Sequence, residues 1–181
     1  LEVELWKIGD SPAAPKFNVV SKPNDWSRSV AKSVTNKEVT GTALLYQRYW
    51  QGFADYLNNS TSTVNPQSPR PQHWMNFSVG RSDFKLSARL SVQKNMIGVD
   101  FETFDENKEH FDSLVDRRSE IDLALGFDAD WSRLDGKKMS RIGLAAPMDV
   151  SLESNWMASY EWTEKHLSKL NEIFRPIVKD L

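Results

Sequence analysis

The chain has 181 residues with 23 Lys and Arg, 25 Asp and Glu, and no cysteine, which gives a formal net charge of −2. This length fits one ordinary domain, or one domain with a short piece of another. The sequence contains no apolar run of the ~18 residues that a membrane span needs, no signal pattern, and no thiol for disulfides, thiolate zinc or catalysis. We therefore expect a soluble, cytoplasmic protein without a membrane partner.

The near-neutral total conceals two segments of opposite charge. Residues 11–95 hold eleven Lys and Arg against four Asp and Glu, which gives +7, and residues 99–130 hold eleven acids against three bases, which gives −8. Such asymmetry is typical of a protein with one face for a polyanion. It is equally expected if the two segments pack together and cancel, so both explanations stay open here.

The first forty residues combine a strand pattern with an irregular stretch. Val3 and Leu5 alternate with acidic neighbours, which predicts a strand over residues 1–10. Three prolines and few periodic apolar residues then predict a linker over residues 11–38. The chain begins with Leu1 rather than Met, so we expect a fragment of a longer protein.

Residues 39–181 are predicted to form one domain. A helix is expected from Thr40, a good N-cap, to about Asn58, and a polar, proline-bearing loop follows it to residue 71. Residues 76–79 indicate a strand. Alternating apolar residues in 84–92 and 97–101 predict an antiparallel hairpin; if Val92 faces Ile97, then Arg89 lies opposite Asp100.

The second half predicts two more helices around a strand pair. Asp105 is expected to cap a helix that ends at Gly126 and buries the stripe Phe111, Leu114, Val115, Ile121 and Leu125. Short strands are expected near 129–134 and 140–145. A last helix begins near residue 154, and Pro176 is expected to bend or break it. This order predicts an α+β fold, a mainly antiparallel sheet packed by about three helices.

The best carboxylate cluster for chemistry is Asp100, Glu102, Asp105 and Glu106. Asp100 and Glu102 point the same way because they are two residues apart on a strand. Such a pair can hold Mg²⁺, and Glu106 with Lys108 completes a superficial Asp…Glu-x-Lys pattern. The competing interpretation pairs Asp100 with Arg89. We favour that interpretation because Glu106 and Lys108 begin a helix, and we predict neither catalytic nor metal-binding residues and no cofactor.

The aromatic residues suggest a different role. Trp74 lies in the basic segment beside a flexible loop, next to Arg70 and Arg81. An exposed tryptophan can stack on a nucleobase while arginines contact phosphates. We therefore predict Arg70, Trp74, Arg81 and Arg89 as nucleic-acid-binding residues, although aromatic side chains on amphipathic stripes are more often core.

Two stretches resemble a family of bacterial two-part proteins, in which a restriction-endonuclease-like domain precedes a C-terminal domain of unknown function. The first stretch resembles the junction, and the second resembles the C-terminal domain. The first comprises Glu4–Pro12, Ala14–Asn18 and Lys22–Trp26; the second comprises Phe111–Leu114, Ile121, Leu125, Gly126, Trp131–Leu134, Ser140–Ile142 and Trp162–Pro176.

The resemblance implies that residues 1–10 are the last strand of an upstream nuclease-like domain, whose catalytic residues lie outside this chain. The chain would then be a non-catalytic accessory domain that assists the engagement of nucleic acid, DNA being the expected partner. Two alternatives stay open: a protein-interaction or homodimerisation module, and an intrinsic Mg²⁺-dependent nuclease using Asp100 and Glu102.

Overall fold

The computed structural model describes residues 2–6, 14–18 and 41–181, and the chain divides into two compact units, Leu1–Val39 and Thr40–Leu181. In the first unit, strand β1 (Glu2–Trp6) pairs antiparallel with strand β2 (Ala14–Asn18). The strand predicted at the start of the chain thus has a partner inside the stretch predicted as a linker. The rest of that predicted linker, within 11–38, lies outside the described residues.

The second unit is an α+β domain, as predicted. Five antiparallel strands form one sheet in the order β3-β4-β5-β7-β6, with helices packed against it. The strands are β3 (Trp74–Ser78), β4 (Phe84–Ser91), β5 (Met96–Phe104), β6 (Asp130–Ser132) and β7 (Met139–Pro147); the helices are α1 (Gly41–Asn58), α2 (Glu109–Val115), α3 (Arg118–Leu125) and α4 (Trp156–Asp180).

One face of the sheet carries the hydrophobic core. Successive side chains of a strand point to opposite faces, so the paired residues Phe77, Leu86, Phe101 and Ile142 form an apolar row across four strands. All four are almost fully buried. Helix α4 covers this row, and the ring of Phe174 stacks on that of Phe101 with centroids 4.0 Å apart. The central strand and the longest helix therefore share one contact at the middle of the core.

Helix α1 joins the core by packing closely on α4. The Tyr160 hydroxyl donates to the Tyr49 carbonyl at 3.1 Å, and the hydroxyls of Tyr49 and Ser159 lie 2.8 Å apart. A side chain at Gly52 would overlap the Tyr160 hydroxyl, so this glycine permits the approach despite its cost of about 1 kcal/mol within a helix. Burial raises the pKa of Tyr49 to about 12, which keeps its phenol neutral.

The predicted hairpin is present as β4 and β5, but its register differs by two residues. Leu90, rather than Val92, lies opposite Ile97. The reason is a four-residue turn that includes Val92: its carbonyl accepts the N–H of Asn95, and Asn95 adopts a left-handed conformation. A shift by two residues leaves every side chain on its predicted face.

The helix predicted from Asp105 to Gly126 is two helices. Helix α2 begins only at Glu109, and α3 begins at Arg118 after a break at residues 116 and 117. The break changes the direction of the chain, so Val115, predicted as buried, is exposed. Gly126 ends α3 in a left-handed conformation, as expected.

Helix α4 continues through Pro176 to Asp180, so the helix does not break at this proline, and the predicted bend stays a prediction. Proline removes one backbone hydrogen bond, but Ile177 and Val178 immediately after it are buried in the core and hold the last turn in place. Although α4 has 25 residues, none of the described helices combines the length and apolarity needed to cross a membrane.

The stacked phenylalanines supply a test of this packing. We expect Phe174→Ala to lower the free energy of unfolding by roughly 3–5 kcal/mol, because it removes a buried ring and leaves a cavity. Leu123→Ala, at a position that is 86% exposed, should change it by less than about 0.5 kcal/mol. Urea denaturation followed by circular dichroism measures both, and similar values for the two variants would contradict the central position of Phe174.

Candidate nucleic-acid interface

The four predicted binding residues lie along β3, β4 and the segments next to them; Trp74 and Arg89 are on the face opposite the helices, whereas Arg81 contacts α4. Arg70 and Trp74 line one cleft of about 180 Å³, and Arg81 lines an adjoining depression of about 380 Å³. Asn76 contributes to both. Arg89 lies opposite Trp74 in the β3–β4 pairing and borders a third hollow.

Strand β3 forms an edge of this sheet, so half of its backbone groups point away from β4. The N–H of Leu90 donates to the His73 carbonyl at 2.7 Å. Because hydrogen-bonded pairs alternate along an antiparallel ladder, the backbone groups of Trp74, Asn76 and Ser78 point outward. The Trp74 carbonyl accepts from Gln72 Nε2 at 3.0 Å, which agrees with this direction. Edge strands of this kind offer donors and acceptors to a ligand.

Trp74 differs from the other tryptophans of residues 41–181. Trp50, Trp131 and Trp156 donate their indole N–H groups to oxygens of the protein, and Trp50 is fully buried. Trp74 is 38% exposed, and its indole N–H has no partner among the described residues. Trp162 is half-buried and lies against the His166 ring, with centroids 4.4 Å apart. Trp74 is therefore the most exposed tryptophan of residues 41–181, which makes its ring available for stacking.

The cations around Trp74 have few acidic neighbours. Residues 59–98 contain five Lys and Arg (Arg70, Arg81, Lys85, Arg89 and Lys94) and one acid, Asp83, whereas the acidic segment forms β5, α2, α3 and β6. Arg70 is exposed and has no ion pair among the described residues. Arg81 lies over the Phe84 ring and donates to the Val178 carbonyl at 3.3 Å. We call the surface formed by Arg70, Trp74, Arg81 and Lys85 the basic edge.

Unlike Arg70 and Arg81 of the basic edge, Arg89 forms an ion pair, and its partner is Asp100. Arg89 Nε lies 2.5 Å from Asp100 Oδ2, so the predicted pairing is present even though the register places these residues diagonally. The Asp100 side chain is 3% exposed and that of Arg89 33%. The two segments of opposite charge thus cancel in part across β4 and β5, and Arg89 has a structural role besides any contact with a ligand.

Two glycines make room for this ion pair on the surface of the sheet. Gly98 lies directly opposite Arg89, and a Cβ there would lie 2.7 Å from the guanidinium carbon. Gly143 lies opposite Asp100, and a Cβ there would overlap the carboxylate and the Val99 carbonyl. The guanidinium and the carboxylate therefore lie flat against the strands.

Glu102 adjoins this ion pair on the same face. Its carboxylate accepts from the Ser87 hydroxyl at 2.8 Å. Burial raises the pKa of Glu102 above its ordinary value, against the opposing effect of the Ser87 hydrogen bond, and the Asp100 carboxylate raises it further. Glu102 is therefore a carboxyl group whose ionised form the fold disfavours.

In the part of the chain that the structure describes, the residues considered for a metal site do not come together as ligands for a metal ion. Asp100 is neutralised by Arg89, and Lys108 is buried with its ammonium group on the Met139 carbonyl at 2.9 Å. Glu106 is exposed, 3.8 Å from Lys138. Across residues 2–6, 14–18 and 41–181, no three His, Cys, Asp or Glu side chains converge on one point.

Sequence analysis missed the amide side chains of the cleft. Gln67, Gln72 and Asn76 line it together with Arg70 and Trp74. Asn76 was recognisable in principle, because it is two residues from Trp74 on the same strand and so points to the same side. Gln67 was not, because only the path of the loop brings it to the sheet edge.

These features define the chain's second unit as an α+β domain with one antiparallel sheet, a helical layer on one face and a basic sheet edge. The chain belongs to a family described as a domain of unknown function, DUF4268, whose family model matches residues 45–178. This confirms the predicted kinship with a domain of unknown function, and the upstream nuclease-like domain stays a prediction. No curated protein and no solved structure matches the chain significantly.

The unequal burial of Arg89 and Asp100 predicts unequal costs for their removal. Arg89→Ala leaves a buried carboxylate unpaired, and we expect a loss of roughly 3 kcal/mol in unfolding free energy. Asp100→Ala leaves a guanidinium that can turn towards water, so the loss should be nearer 1–2 kcal/mol. Chemical denaturation measures both. Arg118→Ala, in an exposed pair with Asp122, should cost less than about 1 kcal/mol; a larger cost for Asp100→Ala than for Arg89→Ala would contradict this account.

The raised pKa of Glu102 predicts a specific pH dependence of stability. Because the folded state binds the Glu102 proton more tightly than the unfolded chain does, ionisation lowers the stability as pH rises above the ordinary glutamate range. We expect Glu102→Gln, which cannot ionise and keeps an acceptor for Ser87, to be more stable than the parent at pH 7 and no more stable near pH 4. Unfolding curves at the two pH values test this, and a gain of the same size at both would contradict it.

Proposed function

We propose that this chain is a non-catalytic accessory domain of a nuclease-like bacterial protein and that its basic edge engages nucleic acid. The observation that carries the proposal is the combination, on one sheet edge, of an exposed tryptophan with Arg70 and Arg81, which form no ion pair with any acid among the described residues. Cations of this kind bind phosphates through counterion release, independently of sequence, and an exposed ring adds contacts to bases.

The arrangement of charge supports this role. The acids of residues 99–130 lie mainly on β5, α2, α3 and β6, away from β3 along the strand order of the sheet. Several of these acids are paired with Arg133, Lys138 and Arg141, whereas Arg70 and Arg81 form no ion pair among the described residues, so a polyanion would be attracted mainly to the basic edge. Arg89 contributes to the positive potential but is committed to Asp100, so we assign the direct contacts to Arg70, Arg81 and Lys85.

The alternative functions lead to different expectations. A protein-interaction or homodimerisation module is favoured by the exposure of Leu123, which borders a hollow of about 630 Å³ with Phe127. Such a module would form a dimer that salt does not weaken and would lack affinity for nucleic acid. An intrinsic nuclease would show Mg²⁺-dependent cleavage that is lost in Asp100→Ala; the pairing of Asp100 with Arg89 argues against it.

Salt-dependent binding tests the proposed function. We expect the chain to bind labelled DNA with an affinity that falls steeply as salt rises. The double variant Arg70→Glu, Arg81→Glu should reduce the steepness of the plot of log K against log salt by about one unit per cation. Fluorescence anisotropy between about 50 and 200 mM salt measures the slope.

A matched control separates local contacts from net charge. Lys137→Glu combined with Lys165→Glu changes the net charge equally at two exposed positions outside the basic edge, and we expect its slope to stay close to that of the parent. Circular dichroism verifies that both double variants are folded. Equal effects of the two double variants, or no DNA binding by the parent, would refute the role of the basic edge.

A further inference from the structure

The cleft between β3 and the preceding loop has the size of a small flat ligand. It holds about 180 Å³ between Trp74 and Asn76 on the strand and Gln67, Arg70 and Gln72 on the loop. Pockets for drug-sized molecules or cofactors span roughly 300–1,000 Å³. The cleft is therefore too small for a nucleotide cofactor and suits a single ring system.

The walls of the cleft present unused hydrogen-bonding groups. The side-chain amides of Gln67 and Asn76 have no hydrogen bond to any described residue, and the outward backbone N–H and carbonyl of Asn76 belong to the free edge of the sheet. An amide offers both donors and an acceptor, as does the edge of a nucleobase. Gln72 is positioned differently, because its amide is held by the Trp74 carbonyl.

The cleft combines an aromatic ring with a nearby cation. The ring of His73 meets that of Trp74 edge to face, with centroids 4.6 Å apart, and it also lies 6.4 Å from the Tyr46 ring. This row of rings holds Trp74 in place while 38% of it stays exposed. Arg70 also lines the cleft and is exposed, so it can contact the phosphate of a nucleotide whose base stacks on Trp74.

From these features we infer that the cleft takes one unpaired base of a single-stranded nucleic acid, stacked on Trp74 and hydrogen-bonded by the amides of Gln67 and Asn76. This inference rests on the proposed function and narrows its ligand from nucleic acid in general to single strands. In a duplex the faces of the bases are covered by their neighbours, so an aromatic ring reaches them only after unstacking. The cleft thus favours single strands over duplexes, and the basic edge supplies the affinity for phosphates.

The test compares single strands with a duplex at one salt concentration. The probes are labelled oligo(dT) and oligo(U) of about twelve nucleotides and a DNA duplex of the same length, read by fluorescence anisotropy. We expect the parent to prefer at least one single strand over the duplex by about tenfold or more. We expect Trp74→Ala to lose about tenfold in affinity for that strand, in line with the stacking energy of one base, with little change for the duplex and an unchanged salt slope.

Three further variants make the result specific. Trp74→Phe keeps an aromatic face and should retain most of the single-strand preference. Gln67→Ala combined with Asn76→Ala removes the amides that would bond the base edge, and should weaken binding of the preferred single strand while leaving the affinity for the duplex as in the parent. Leu123→Ala removes an exposed apolar side chain elsewhere and should leave all affinities as in the parent.

The outcomes separate this inference from the proposed function. If single strands and duplex bind equally and Trp74→Ala has no effect, while reversal of Arg70 and Arg81 still weakens binding, the cleft does not hold a base and the proposed function stands. If the parent binds none of the probes, both proposals fail.

Discussion

The domain depends on a single structural constraint, which is that its helices cover only one face of its sheet. The contact between Phe101 of β5 and Phe174 of α4 lies at the centre of that covered face. The burial of large aromatic rings supplies much of the stabilisation of a small domain, and here it fixes the longest helix to the central strand. Most polar residues of the strands consequently lie on the opposite face and at the edges; Thr103 and Ser140, which share the covered face, are fully buried.

The opposite face, over which none of the described helices packs, shows how the sheet accommodates charge. Arg89 and Asp100 lie flat on Gly98 and Gly143, and Ser87 donates to the neighbouring Glu102. A buried carboxylate is tolerated only with a close cationic or hydrogen-bonding partner. The ion pair therefore removes two of the charges that looked available in the sequence, and it leaves the unpaired cations and Trp74 concentrated at the β3 edge.

The predictable part of this protein follows from local patterns. Alternation of apolar and polar residues located β4 and β5, and three- and four-residue spacing located α1 and α4, since these periods reflect the geometry of one strand or one helix. The prediction that Arg89 pairs with Asp100 is correct despite the wrong register, because a shift of two residues preserves the face and leaves a diagonal contact within reach. The break between α2 and α3 was missed, because Val115 fits an apolar stripe that only the turn of the chain at residues 116 and 117 interrupts.

The sequence by itself determined the α+β class and the basic and acidic segments, and it led to the prediction that Trp74, among seven tryptophans, is the one that stacks on a base beside Arg70 and Arg81. Tertiary structure alone decided which of those tryptophans are core, that Arg89 is neutralised, and that Gln67 reaches the edge of the sheet. Side-chain periodicity is a local property and is readable along the chain. The burial of an indole, the partner of a guanidinium and the path of a loop depend on residues far apart in sequence, and folding is what brings those residues together.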